Sequence, residues 1–193
     1  MGDIGLFYGS STCYTEIAAE KICAAIKQIT RGSVTVDMHD IDKQPLSLAN
    51  DYNWLILGIP TWDYGELQEH WEASWDYLDT IAWRGKVVAL YGLGDQDGYP
   101  EWFLDGLGYL WSKITGLGAT SIGFWPTEGY RHTNSEALTG DQRFFVGLAL
   151  DEDTEFELSD QRIDTWCRQI LLEFRESSHT VGPHSKRPPT KPD

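Results

Sequence analysis

Short apolar runs alternate with longer segments of helical spacing along most of this 193-residue chain, and few architectures accept that pattern. Residues 4–8, a short apolar run, read as a buried strand. Ile17, Ala18, Ile22, Ala25, Ile26 and Ile29 then fall at helical spacing, with Glu16 and Glu20 near the start of the segment. Residues 33–38 read as a second strand, 54–59 as a third and 86–91 as a fourth. Helices are predicted over 66–78 and 102–117, the latter interrupted by Gly106 and Gly108. Residues 121–125 and 145–150 both read as strands. A Ser159-Asp160 cap opens a last helix over 162–174, with Ile163, Trp166, Cys167, Ile170, Leu171 and Phe174 on one face.

The expected fold is α/β, a doubly wound parallel sheet of five strands with helices on both faces. Its common order, 2-1-3-4-5, reverses direction between strands 1 and 3. Ligands bind at that switch point, beyond the carboxyl ends of the strands. The loops that can hold chemistry are therefore 9–15, 60–65 and 92–99.

The first loop, Gly9-Ser10-Ser11-Thr12-Cys13-Tyr14-Thr15, places hydroxyl groups and backbone N–H groups at a helix N-terminus, which suits an anion. It contains no lysine or arginine, and Tyr14-Thr15 stands where a Walker loop needs Lys-Ser/Thr. The same hydroxyls also suit a plain helix cap. The second loop is Pro60-Thr61-Trp62-Asp63-Tyr64-Gly65, with a tryptophan fit to cover something flat. In the third, Gly92, Gly94 and Gly98 lack dinucleotide spacing, and Asp95 and Asp97 would repel a pyrophosphate. Asp95 can accept hydrogen bonds from ring N–H groups, and Tyr99 can stack. A lysine-free phosphate cradle beside two aromatic loops fits FMN better than ADP or NAD.

The formal net charge of −15 argues against nucleic acid and anionic membranes as partners. It suits either solubility or the steering of a basic partner. Three widely spaced cysteines, Cys13, Cys23 and Cys167, argue against a disulfide framework and fit a reducing cytoplasm. No apolar run is long enough to span a membrane, and the N-terminal residues do not read as a signal peptide. The expected division is a domain over 1–176 and a tail over 177–193. That tail holds four of the eight prolines, together with Lys186, Arg187 and Lys191, and its composition predicts disorder. Asp151-Glu152-Asp153 lacks the remainder of a calcium loop. His39, His70 and His132 lie on separate elements and do not read as ligands.

Residues 9–16, 60–68, 94–99, 125–130, 145–151 and 158–166 together resemble the motifs of long-chain flavodoxins, over roughly the first 175 residues. The resemblance implies the flavodoxin-like five-stranded sheet, with strand 5 split by an insertion between Trp125 and Phe145. It also implies one non-covalent FMN and low-potential, one-electron carriage without a catalytic residue. Carried over by position, Ser10, Ser11, Thr12, Cys13, Tyr14 and Thr15 bind phosphate. Trp62 and Tyr99 flank the ring, within walls that include Pro60, Thr61, Asp63, Tyr64 and Gly65. Asp95, with the backbone of Leu93 and Gly94, reads the ring's polar edge, and Asp151 lies near the cofactor. The Asp63–Tyr64 peptide falls where the family turns a carbonyl toward the flavin.

Two departures from the family pattern set the chain nearer a divergent bacterial subgroup of flavodoxin 2 type. Cys13 follows Thr12 where glycine is usual, so either the loop bends differently or Cys13 takes a left-handed shape. Leu93 stands where threonine is common. The implied partners are redox proteins with basic surfaces, a flavin reductase as donor and an acceptor enzyme, approached by a monomer through acidic residues such as Glu66 and Glu69. The alternative is an FMN-dependent NAD(P)H:quinone or nitro reductase, which needs an open flavin face. A phospho-receiver domain is set aside, because Gly9-Ser10 and Gly58-Ile59-Pro60 replace its acidic residues.

Overall fold

The computed structural model describes residues 1–180. Its first strand, β1 (Ile4–Tyr8), lies between β2 (Val36–Asp40) and β3 (Trp54–Trp62), parallel to both, with Leu6 opposite Met38 and Ile56. On its other side β3 pairs in parallel with β5 (Val87–Leu93), and Ile56 faces Ala89. The lower half of β5 pairs with β6 (Thr120–Ile122) and the upper half with β9 (Leu148–Leu150). Strand 5 is thus delivered in two pieces, and the 2-1-3-4-5 order holds as β2-β1-β3-β5 followed by the β6 and β9 pair.

Alternation along each strand divides the core into two layers. Leu55, Leu57 and Ile59 of β3 face one side, with Trp71, Leu107, Leu110 and Ile114. These belong to the helices α2 (Glu69–Ser74) and α3 (Asp105–Gly116). Ile56, Ala89 and Tyr91 face the other, with Ala18, Ile22 and Ile26 of α1 (Tyr14–Ile29) and Ile163, Trp166 and Ile170 of α4 (Ser159–Thr180). Between the two pieces of strand 5, β7 (Trp125–Pro126) and β8 (Phe144–Phe145) form a small antiparallel pair. Tyr130 packs there against Phe103 and Phe145, with ring centroids 5.8 and 5.2 Å away.

Several boundaries differ from expectation. Parallel pairing of β2 begins at Val36, because Asp3 and Ile4 both donate to the carbonyl of Thr35, leaving 33–35 as approach. The predicted helix over 66–78 is three elements. Glu66–Leu67 forms β4, which folds back antiparallel onto Thr61 and Trp62, now the end of β3. Gln68 then caps the short α2, accepting from the N–H groups of His70 and Trp71 at 3.2 Å each, and a 3₁₀ segment completes the stretch. The helix α3 starts at Asp105 rather than 102, because Leu104 is left-handed with φ 63°. Ser159 is already the first residue of α4, and its hydroxyl donates to Glu152. That helix runs past the expected boundary at 176 to Thr180, and the rest of the expected tail, 181–193, lies outside the described residues.

The glycines inside α3 are there for contact. A Cβ on Gly108 would sit 2.3 Å from the backbone of Glu136 in the insertion, whereas one on Gly116 would meet nothing within 4 Å. Two substitutions on one helix should therefore differ in sign. Gly116→Ala is expected to raise unfolding stability by about 0.5–1 kcal/mol. Gly108→Ala, despite the same gain in propensity, should lower it by about 1–3 kcal/mol through overpacking. Denaturant unfolding of both variants checks the pair.

Candidate functional site

The three loops converge at the carboxyl ends of β1, β3 and β5 around an open cavity of about 310 Å³. Thr12, Tyr14 and Thr15 line it from the first loop. Pro60, Thr61, Trp62 and Asp63 line it from the second, and Leu93, Gly94, Asp95 and Tyr99 from the third. Trp102, Phe103, Glu152 and Asp153 also line it, and the sequence reading missed these as site residues. The signal for the first two was available, since only Pro100 and Glu101 separate Trp102-Phe103 from the third loop. Glu152 and Asp153 arrive only through the pairing of β9 with β5.

Among the described residues no lysine or arginine lines the cavity, so a bound anion would be met there by N–H and O–H groups. Cys13 takes the left-handed conformation, φ 69° and ψ −12°, just before α1. Ile17 donates to its carbonyl at 2.9 Å, and the earlier N–H groups of the first turn are those a helix leaves for other acceptors. The hydroxyl oxygen of Ser10 is buried and has no hydrogen-bond partner among the described residues. A buried hydroxyl left this way is unfavourable until water or a ligand completes it, and Ser10, like Ser11 and Cys13, does not line the cavity itself. Ser11 is engaged otherwise: its hydroxyl donates to Glu69 at 3.0 Å and accepts from the Gln68 amide at 2.9 Å, tying the first loop to the start of α2.

The second loop is the tight turn between β3 and β4, with Asp63 at φ 42° and Gly65 at φ 88°. The left-handed Gly65 is buried, and a Cβ there would lie 2.8 Å from Oδ2 of Asp105. Tyr64 and Gly65 do not line the cavity. Tyr64 is exposed and stands edge-on to Tyr99 and Trp102, with centroids 6.0 and 5.1 Å away. In the third loop Asp95 Oδ1 accepts the N–H groups of Asp97 and Gly98 at 3.0 and 2.7 Å, which shapes the turn that presents Tyr99.

Asp151 is fully buried and lies off the cavity wall. Its carboxylate accepts from the N–H groups of Gln96 (3.0 Å), Asp153 (3.1 Å) and Thr154 (2.9 Å) and from the Thr154 hydroxyl (2.7 Å). It therefore fastens the third loop to the turn after β9. Burial first, and then the charges of Asp95 and Asp151, push the Asp153 carboxyl above its ordinary range. Asp97, by contrast, is compensated by Arg131 of the insertion, whose Nε and Nη2 each donate at 3.0 Å. Among the described residues no group of three or more His, Cys, Asp or Glu is placed to hold a metal. No described helix is long and apolar enough to cross a membrane.

The sequence model of the flavodoxin family matches residues 6–166. The chain belongs to the flavodoxin family. It is 55% identical over 174 residues to Flavodoxin 2 of Escherichia coli, covering 90% of this chain and 98% of that one. A flavodoxin of Synechococcus elongatus is 45% identical over 174 residues, covering 90% and 99%. Among solved structures, Fusobacterium nucleatum flavodoxin bound to flavin mononucleotide superposes with a TM-score of 0.81 at 30% identity, over 90% of this chain and 99% of that chain. The long-chain form fits the strand-5 insertion seen here. Of the two ways to accommodate Cys13, the chain uses the left-handed one, and that conformation is unfavourable for a residue with a Cβ. Cys13→Gly is expected to raise stability by about 0.5–1 kcal/mol after the extra freedom of the unfolded chain is subtracted. Urea unfolding without ligand measures it.

Proposed function

We propose that this chain carries single electrons on one non-covalently held FMN, accepting them from a reductase and passing them to acceptor enzymes. The observation that carries this reading is the cavity's lining. The first loop brings hydroxyls at a helix N-terminus, no lysine or arginine among the described residues joins them, and Trp62 and Tyr99 come from two separate loops. The Ser10 hydroxyl, in the same loop though off the cavity wall, has no partner among the described residues and is available to a phosphate there. Bound there, FMN supplies a redox centre that takes up and returns electrons one at a time.

The chain's own residues then divide the work. Ser10, Thr12, Tyr14, Thr15 and the first N–H groups of α1 hold the phosphate, and Ser11 and Cys13 set the loop's path. Trp62 and Tyr99 flank the ring and exclude water. Leu93 and Gly94, through their backbone, and Asp95 meet the ring's polar edge. Pro60, Thr61, Asp63, Tyr64 and Gly65 build the second wall, and Asp151 anchors the third loop from beneath. Asp63, Asp95, Glu152 and Asp153 crowd negative charge around the cavity, which disfavours further negative charge there and holds the potential low. The reductase alternative is disfavoured, because aromatics on two opposing loops leave little room for a nicotinamide. Titration of the purified chain with FMN, followed by absorption and fluorescence, is expected to give one tight, extractable equivalent. A chain that takes up none would refute the reading.

Its redox partners are proposed to present basic surfaces, and the chain to act as a cytoplasmic monomer. The three cysteines are free, in keeping with a reducing compartment. Glu66 and Glu101 are exposed beside the second and third loops. Glu69 is a poorer probe of steering than its position suggests, because it accepts from Ser11 in the first loop. Electron-transfer rates should fall as salt rises. Glu66→Lys and Glu101→Lys should slow association severalfold while leaving FMN affinity within about twofold. Stopped-flow transfer from a flavin reductase across a salt series tests this, and rates indifferent to salt and to both reversals would assign the acidity to solubility.

A further inference from the structure

Tyr91 lies in β5, just before the third loop, and is fully buried. A phenol hydroxyl in such a place is unfavourable without a partner. Its partner is on a different element: it donates to the backbone carbonyl of Thr15 at 3.0 Å, in the first turn of α1. Thr15 is itself buried and lines the cavity, whereas Tyr91 does not.

The phenol ring can reach α1 because its neighbour in register on β3 is Gly58. A Cβ at that position would fall 2.1 Å from Cζ of Tyr91 and 2.2 Å from its hydroxyl oxygen. The Gly58 carbonyl accepts the N–H of Gly9, the start of the first loop, at 3.3 Å, and the indole N–H of Trp71 at 2.9 Å. Both ends of the first loop, Gly9 and Thr15, are therefore tied to one spot in the sheet, the Gly58–Tyr91 pair. Burial drives the ionisation of Tyr91 well above its ordinary range, so the hydroxyl remains a donor.

We propose that Tyr91 is a positioning residue for phosphate recognition: its hydroxyl fixes the first turn of α1 against the sheet and so pre-organises the first loop. The proposal rests on the FMN reading for the identity of the phosphate. A helix N-terminus meets an anion with N–H groups in set directions, and a loop already held in place loses less freedom on binding. Trp62 and Tyr99 come from the other two loops, so the effect of this hydroxyl is expected on the phosphate rather than on the ring.

Tyr91→Phe removes the hydroxyl and keeps the ring in its slot over Gly58. The apoprotein and this variant are titrated with FMN and with riboflavin, which has the same ring without the phosphate. The dissociation constant for FMN is expected to rise about three- to tenfold, while that for riboflavin stays within about twofold. Parallel weakening of both ligands would mean a merely structural role and overturn the proposal, as would an FMN affinity changed by less than about twofold. A second measurement needs no ring: inorganic phosphate should raise the Tm of the apoprotein more than that of the variant. Equal rises would also overturn the proposal. A parent chain that binds no FMN would instead overturn the functional reading, and the phosphate series would still judge Tyr91.

Discussion

The parallel pairing of β1, β3 and β5 is the constraint on which the remaining structure depends. These strands are covered on both faces, so their residues are apolar throughout, and their register is held by two layers of side chains at once. Because they are parallel and in register, their carboxyl ends finish side by side. The first, second and third loops then have to meet, whatever their individual sequences. A slip by one residue would exchange the two layers and also separate Gly9 from the Gly58 carbonyl, so core packing and site geometry are the same requirement.

Charge sets the second theme. The cavity proposed to take an anion, in a chain of formal charge −15, has no lysine or arginine in its wall among the described residues. The attraction has to come from short-range, directed groups: hydroxyls, backbone N–H groups and the end of a helix dipole. Carboxylates that line the same cavity would then act on a redox group bound there, with no lining cation among the described residues to neutralise them. Arg131 is close by, yet it is occupied by Asp97 and serves to fasten the insertion to the third loop.

The insertion explains much of what the sequence reading missed. Gln96 accepts the Arg131 N–H at 2.8 Å, Asp105 accepts that of Glu136 at 2.8 Å, and Pro100 accepts those of Thr133 and Asn134. Each bond joins residues more than thirty positions apart, and no local pattern encodes them. The same is true of Asp151. Its role as a buried acceptor of four hydrogen bonds that fasten the third loop was not legible from position. The helix predicted over 66–78 failed for a related reason. Its apolar spacing was real, but Gly65 turns the chain back onto β3 before a helix can start, and hairpin pairing outweighs propensity.

By itself the sequence determined the elements that repeat in period and the loops that hold hydroxyls, aromatics and glycines. The strand alternation named the fold class, the order of the sheet placed the switch point, and the composition of loop 9–15 ruled out a Walker site. These follow from chemistry within a few residues of one another. Only the tertiary structure decided that Cys13 adopts the left-handed shape, that Ser11 turns toward Glu69 while Ser10 has no partner among the described residues, and that Asp151 is buried off the cavity wall. It alone showed that Tyr91 reaches across Gly58 to hold Thr15. Those outcomes depend on which distant atoms share a few ångströms of space, and burial and hydrogen bonding settle that only once the sheet has closed.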